Sequence, residues 1–146
     1  MFYLVLFFNL FFQTASKEAP VFFKEFQELK SKKQELRYID KYKDNTNVNV
    51  KAYVVSLQMK QAEYAFFPWK KLQIFKTEKK KLESLIKTNP TNVHLRYVRL
   101  VIQEKLPGIL NYKSSIKEDK RFLKQWLKKK DSLSYLKPFI NKNIAL

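Results

Sequence analysis

The sequence predicts an all-α fold, an antiparallel stack of helical hairpins with five or six helices. Apolar residues recur every three or four positions along most of the chain, as on one face of an amphipathic helix. Breaks that contain Pro or Asn separate these periodic segments. Glycine occurs once, at Gly108, whereas phosphate-binding loops and dinucleotide folds need several glycines. A chain of 146 residues with 45% apolar content therefore makes one domain with a hydrophobic core.

The first residues have the pattern of an export signal. Residues 2–12 are apolar except for Asn9. This run is too short to cross a bilayer as a helix, which takes about 20 residues, but it has the length of a signal-peptide core. Small residues follow up to Ser16, so residues 1–16 are expected to be a signal peptide, although no Lys or Arg precedes the run. The alternative is an apolar first helix of the fold.

The helical-repeat domain is expected over residues 17–137. Its first helix begins at Pro20, since proline suits the first turn of a helix, and a second, shorter helix ends before the turn at 44–47. Residues 48–67 are ambiguous, because they begin with alternating β-branched residues that favour a strand. Their length exceeds that of a typical strand. We therefore predict a helix that is buried on most of its circumference.

The next helix begins at Pro68 and ends before Asn89-Pro90. One side of it is an apolar stripe. The other side is rich in lysine and includes Lys70, Lys71, Lys79 and Lys80. Such a face is most often simply solvated, and a binding surface is the alternative.

Two more helices are expected over residues 92–105 and 116–130, the first of them largely buried. Ser115 and Glu118 have the spacing of a capping box at the start of the second. Residues 138–146 are expected to be a polar C-terminal tail that begins with a proline.

The chain carries 30 basic and 13 acidic side chains, a formal net charge of +17. This excess points to an anionic partner such as nucleic acid or a membrane surface. Almost all of the basic residues are lysine, however, which is also what codon bias in an AT-rich genome produces. Readers of nucleic-acid sequence favour arginine, whose planar fork binds phosphates and guanines. Sequence-specific nucleic-acid binding is therefore not expected, and the other two interpretations stay open.

A block of the sequence recurs after a shift of 45 positions, from 46 to 91. Thr46–Lys51 aligns with Thr91–Arg96, and each block follows an expected helix and turn. A repeat of this length indicates stacked helix–turn–helix units that share one core. The second junction consists of Leu82, Leu85, Ile86, Asn89-Pro90-Thr91-Asn92, Leu95 and Tyr97. It resembles the junction between tetratricopeptide-like repeats, although the period here is longer, and this resemblance implies stacked helical hairpins.

Residues 46–122 carry a second pattern: Leu95-Arg96-Tyr97-x-Arg99-Leu100-x-Ile102-Gln103, Pro107, Leu110-x-Tyr112 and Ile116-x-x-Asp119. They are similar to a group of short, uncharacterised, exported helical proteins of Bacteroidetes. This resemblance implies an exported helical protein and brings no particular activity with it.

Arg96 and Arg99 are the strongest candidates for a polar site. They share part of a face on a mostly apolar helix. A buried arginine needs an acidic partner, and Asp119, Glu118 and Glu104 are the nearest choices in sequence. We expect a structural brace between helices; the alternative is a pair that binds a ligand carboxylate or phosphate. Trp69 and Trp126 both fall on apolar stripes, so core packing is expected for them.

The sequence lacks cysteine and has a single histidine, His94, so neither a thiolate nor a histidine-cluster metal site is expected. No cofactor and no catalytic residue are predicted, and we expect a protein without enzymatic activity. The function expected from the sequence is that of an exported helical-repeat module, which binds a protein partner or assists assembly in the cell envelope. The alternative is a cationic module that binds an anionic polymer or lipid headgroups through its Lys-rich helix faces. Self-association stays open.

Overall fold

The computed structural model describes residues 18–146, and all of their regular structure is helical. These residues form seven α-helices and three short 3₁₀ turns without any strand, so the predicted all-α class is confirmed. The predicted signal peptide, residues 1–16, lies outside this range. The helices are α1 (Val21–Gln27), α2 (Lys32–Tyr42), α3 (Val48–Lys60), α4 (Pro68–Thr88), α5 (Val93–Lys105), α6 (Ile116–Leu127) and α7 (Lys137–Asn143).

Asparagine side chains fix the starts of the two central helices. Asn47 Oδ1 accepts a hydrogen bond from the backbone N–H of Asn49 at 2.9 Å, at the start of α3. Asn92 Oδ1 accepts one from the backbone N–H of Leu95 at 3.0 Å, at the start of α5. Each bond satisfies an amide that has no partner inside its helix. The two caps belong to the two blocks that recur in the sequence.

The ambiguous stretch 48–67 is helical as far as Tyr64, and residues 65–67, which the predicted helix included, are not helical. It forms α3 and then the 3₁₀ turn Gln61–Tyr64. Seven side chains of α3 are buried: Val50, Ala52, Tyr53, Val54, Val55, Leu57 and Met59. They point in all directions around the axis, so burial by neighbouring helices overrides the strand preference of the alternating valines.

Helix α3 lies at the centre of the bundle, in contact with α1, α2, α4 and α5, and α6 packs on the far side of α5. Asn92 Nδ2 donates a hydrogen bond to Asn49 Oδ1 at 2.7 Å. The N-termini of α3 and α5 therefore lie side by side. Because α4 connects the end of α3 to the start of α5, it runs antiparallel to both.

The C-terminal residues are not the expected polar tail. Residues 137–143 form α7, which brings the number of helices above the expected five or six. Ile140 and Ile144 are four positions apart and share a face, and both are buried in the main core. Asn143 Nδ2 also donates a hydrogen bond to the Tyr97 hydroxyl at 2.8 Å. Pro138 lies in the first turn of α7, where proline begins a helix rather than stopping one.

Candidate binding surface

The two arginines of α5 converge on one buried carboxylate. Arg99 donates from Nε to Asp119 Oδ2 at 2.6 Å and from Nη2 to Asp119 Oδ1 at 2.7 Å. This two-pronged geometry matches the planar guanidinium to the carboxylate. Arg96 donates from Nη1 to the same Oδ1 at 2.8 Å. Asp119 is completely buried and both arginines are nearly so, and together they brace α5 against α6.

Two glutamates complete this cluster. Arg96 Nη1 also donates to Glu118 Oε1 at 2.6 Å, and Arg99 Nη1 donates to Glu83 Oε2 at 3.0 Å. The Tyr112 hydroxyl donates to the other carboxylate oxygen of Glu83. The cluster thereby ties α4 to α5 as well. We call the five charged side chains the ion cluster: Arg96, Arg99, Glu83, Glu118 and Asp119.

The ion cluster leaves its arginines little capacity for a ligand. Arg96 Nε donates to the backbone oxygen of Pro90 at 2.9 Å, and the Arg96 guanidinium lies 5.3 Å from the ring centroid of Phe122. Two guanidinium groups face three carboxylates, so the cluster has no excess positive charge to attract a phosphate or a ligand carboxylate. The geometry favours a structural role for Arg96 and Arg99.

Burial and ion pairing shift the pKa values of Arg99 and Glu118 in opposite directions. Burial disfavours the charged form of Arg99, but the hydrogen bonds and charge of Asp119 outweigh it and raise the Arg99 pKa. The hydrogen bond from Arg96 lowers the pKa of Glu118 against the effect of burial. Burial, followed by the hydrogen bond to Glu83, raises the pKa of Tyr112. These pKa shifts keep Arg99 and Glu118 charged and Tyr112 neutral near pH 7.

The predicted capping box at the start of α6 is wrong. Ser115 has φ −97° and ψ 0°, which is not the extended conformation of a capping residue, and its side chain makes no cap hydrogen bond. Glu118 reaches across to Arg96 instead of back to the helix start. The Arg96 guanidinium offers the Glu118 carboxylate a charged donor, whereas a backbone N–H at the helix start is a neutral one.

The histidine is a second buried polar group of α5. His94 is completely buried, with Nδ1 2.6 Å from the Tyr53 hydroxyl and Nε2 2.9 Å from the Tyr135 hydroxyl. A neutral imidazole donates from one nitrogen and accepts at the other, so the two hydroxyls satisfy it completely. Burial lowers the pKa of His94 to about 4. His94 therefore packs as a neutral core residue.

The first turns of α4 extend past the ends of α3 and α5. At 1.5 Å per residue, the 21 residues of α4 extend about 31 Å, whereas the 13 residues of α3 and of α5 extend about 20 Å. Every residue from 66 to 73 is exposed, and Phe75 is the first buried side chain of α4. The 3₁₀ turn Gln61–Tyr64 contacts α4 but leaves residues 66–73 exposed.

Three aromatic rings cluster on this segment. Phe67 stacks on Trp69 with ring centroids 4.5 Å apart, and Phe66 packs edge-on against Phe67 at 5.0 Å. Phe66 is 88% exposed and Trp69 is 68% exposed. The expected core packing of Trp69 is therefore wrong, because its turn lies outside the bundle. Trp126 does lie in the core, and its Nε1 donates to Asp131 Oδ2 at 2.9 Å.

A second exposed apolar residue lies at the same end of the bundle. Ile109, 91% exposed, is on the 3₁₀ turn Gly108–Leu110 that follows α5. The N-termini of α3 and α5 lie side by side and the two helices are parallel, so their C-termini lie at the same end of the bundle. Tyr112, just beyond this turn, packs against Phe75 of α4 in a small second core that includes Met59.

We call the exposed apolar side chains at this end of the bundle the aromatic end: Tyr64, Phe66, Phe67, Trp69, Leu72 and Ile109. They are six of the nine large apolar side chains that are exposed within residues 18–146. An exposed apolar patch concentrated in one place marks an interaction site, whereas scattered apolar residues do not.

The four lysines singled out in α4 lie in three different environments. Lys70 and Lys71 are exposed and directly follow Trp69 in the aromatic end. Lys79 lies over the ring of Tyr112, with its Nζ 4.6 Å from the ring centroid. Lys80 is exposed on the outer face of the helix. Only the first two add positive charge to the aromatic end.

The opposite end of the bundle has a polar cleft of about 650 Å³. Asparagine and threonine side chains of the α4–α5 turn form much of its lining. These amides bond to one another or to helix ends, as in the Asn92–Asn49 bond and in the bond from Asn89 Nδ2 to the Leu85 oxygen at 3.0 Å. The aromatic end, whose apolar side chains have no such partners, is the stronger candidate binding surface.

Within residues 18–146, no group of three or more His, Cys, Asp or Glu side chains is placed to hold a metal ion. No helix of this range combines the length and the apolar character needed to cross a bilayer. No family model, curated protein or solved structure matches the chain. The aromatic end is therefore interpreted from its own chemistry.

The sequence reasoning missed both the aromatic end and Glu83. A signal for the first was present: Phe66, Phe67 and Trp69 surround Pro68, so they fall on a turn where adjacent side chains cannot all face one core. No comparable signal marked Glu83, because its contact with Arg99 depends on how α4 crosses α5.

Proposed function

We propose that the chain is an exported, non-enzymatic module of stacked helical hairpins, which binds a macromolecular partner or assists assembly in the cell envelope through its aromatic end. The observation that carries this proposal is the exposure of Phe66 and Trp69, at 88% and 68%. Large aromatic side chains are enriched at the centres of binding interfaces and are costly to leave in water. The export component rests on the apolar run 2–12 and the small residues that follow it.

The tetratricopeptide-like arrangement is supported by the order of the helices. Helix α4 runs antiparallel to α3 and α5, which are parallel to each other, and α6 packs on α5. The two Asn-capped helix starts have a sequence spacing that suits a repeated hairpin. Such stacks serve mainly as scaffolds for binding other macromolecules.

The absence of enzymatic activity is part of the proposal and is supported by how the polar groups pair. The donors and acceptors that converge around Asp119 bond to one another, and those around His94 do the same. An active site needs convergent groups that are available to a substrate.

A position-specific crosslink tests the proposal. We place the photoreactive residue p-benzoylphenylalanine at position 66 in the full chain, expressed in its native cell, and at the exposed position 91 of the opposite end as the matched control. We expect adducts of defined mass from position 66 and none from position 91. The same adducts from both positions, or none from position 66, would contradict the proposal.

A second candidate is the cationic module that acts through lysine-rich helix faces. It is favoured by three exposed lysines on the outer side of α4, Lys76, Lys80 and Lys87. A salt titration separates the two candidates. Binding to an anionic polymer collapses between low and moderate salt, whereas a protein partner held by apolar contacts at the aromatic end stays bound.

A further inference from the structure

We infer that the aromatic end docks on the surface of an anionic lipid bilayer, with Phe66, Phe67 and Trp69 entering the interfacial layer while nearby lysines contact the headgroups. This inference rests on the proposed binding function and names its partner class. Tryptophan and other aromatic side chains favour the bilayer interface, where an apolar ring meets a hydrated surface.

The shape of the aromatic end suits a fluid surface. Phe66 lies on the turn before α4, and the exposed segment that it begins, residues 66–73, projects past the ends of α3 and α5. A site for a small molecule or a peptide side chain is concave and covers most of its ligand. A projecting tip of apolar side chains is instead buried by insertion into a layer that can close around it.

The charge around the aromatic end complements anionic headgroups. Residues 63–76 carry Lys70, Lys71 and Lys76 against one acidic residue, Glu63. Residues 105–113, which include the exposed Ile109, carry two lysines and no acidic residue. Lysines beside an inserted apolar group strengthen its binding to anionic lipid and bring it to the surface.

The same charge argues against a second copy of this chain as the occupant. An interface formed by two aromatic ends would bring the lysines of both copies together, with only Glu63 of each copy to pair with them. Like charges that face each other oppose association. Lipid headgroups supply negative charge, in which this surface is poor.

The test uses the full chain with vesicles of phosphatidylcholine alone or mixed with phosphatidylglycerol, and reads the fluorescence of Trp69. The emission of an exposed indole shifts to shorter wavelength when it enters a bilayer, and lipids with brominated acyl chains then quench it. Trp126 is buried and bonded to Asp131, so its signal stays constant. We expect the shift and the quenching with anionic vesicles only, and their loss in Trp69→Phe.

Two charge-reversal pairs separate docking by the aromatic end from general attraction. Lys70→Glu with Lys71→Glu should weaken the association with anionic vesicles, read from Trp69, by about tenfold or more. Lys80→Glu with Lys87→Glu makes the same change in net charge on the outer face of α4 and should weaken it far less. All four lysines are exposed, so both variants should keep the helical circular dichroism spectrum of the native chain. Equal weakening by the two pairs would overturn the inference.

Failure of the inference is distinguishable from failure of the proposed function. If anionic vesicles leave the Trp69 emission unchanged while position 66 still forms its own crosslinks to a protein, bilayer docking is wrong and the binding function stands. If neither the vesicles nor the crosslinker reports an interaction at the aromatic end, both are wrong.

Discussion

Two stretches of equal length invert the usual relation between hydropathy and burial. Residues 93–100, at the start of α5, include two arginines and a histidine, and every one of them is buried. Residues 66–73, which lead into α4, include three aromatic side chains and a leucine, and every one of them is exposed.

Position in the bundle, rather than residue type, therefore decides which of these two stretches is buried. Helix α5 lies between α3, α4 and α6, and the arginines and the histidine at its start find partners inside the protein. The start of α4 lies past the ends of α3 and α5, so its apolar side chains stay exposed. The first stretch should therefore determine stability and the second should determine binding.

The largest expected effect on stability comes from replacing Asp119, whose carboxylate Arg96 and Arg99 share. Asp119→Ala leaves the buried guanidinium groups of Arg96 and Arg99 without their central partner. Removing one member of a buried ion pair costs about 3–5 kcal/mol, because the remaining charge stays away from water. We expect the free energy of unfolding, measured with urea, to fall by this amount.

Glu118→Ala is the matched control, since Glu118 also bonds to Arg96 but its side chain is 60% exposed. We expect it to cost less than about 1 kcal/mol, the range of exposed ion pairs. Similar losses in the two variants would mean that burial does not set the strength of the ion cluster.

The next effect is a dependence of stability on pH that comes from His94. Its pKa is near 6.5 in the unfolded chain and about 4 in the folded protein, where burial disfavours the charged ring. Between these values the unfolded chain binds a proton that the folded protein does not. Stability is therefore complete above about pH 6.5 and is lost as the pH falls toward 4. We expect a loss of about 2 kcal/mol between about pH 7.5 and pH 5.

His94 is the only histidine of the chain, so no other imidazole contributes in this pH window. His94→Gln removes the titrating group and should make the free energy of unfolding nearly flat over the same window, although its value at neutral pH is lower. A wild-type stability that stays constant down to about pH 5 would show that His94 accepts a proton within the fold.

Much of the helical framework could be predicted from the sequence. The 3.6-residue periodicity, Pro68 and the Asn-Pro break located α4 and α5 closely, because these signals act within a few residues. The pairing of Arg96 and Arg99 with Asp119 was expected for a similar reason: a buried arginine on an apolar helix must find a carboxylate.

The candidate site could be predicted only in part: the turn at Pro68 carried a signal, but the exposure of Trp69 depends on the relative lengths of packed helices. Trp69, Leu72 and Phe75 recur every three residues like an apolar stripe, but α3 and α5 end before they reach Trp69, so Phe75 is covered and Trp69 is not. The burial of Ile140 in α7 was missed for a related reason, since a short segment rich in Lys and Asn becomes helical only when it packs against the core.

The smallest expected effect on stability belongs to the aromatic end, where an exposed ring and a buried ring of the same kind can be compared directly. Phe66→Ala should change the free energy of unfolding by less than about 0.5 kcal/mol, because an 88% exposed ring loses almost no buried surface. Phe75→Ala removes a ring of the same size from the same region, but one that is 5% exposed, and should cost about 3–5 kcal/mol. A large loss from Phe66→Ala would mean that the ring supports the fold. A small loss leaves Phe66 without a structural reason to be aromatic, so its exposure is then explained by what it binds.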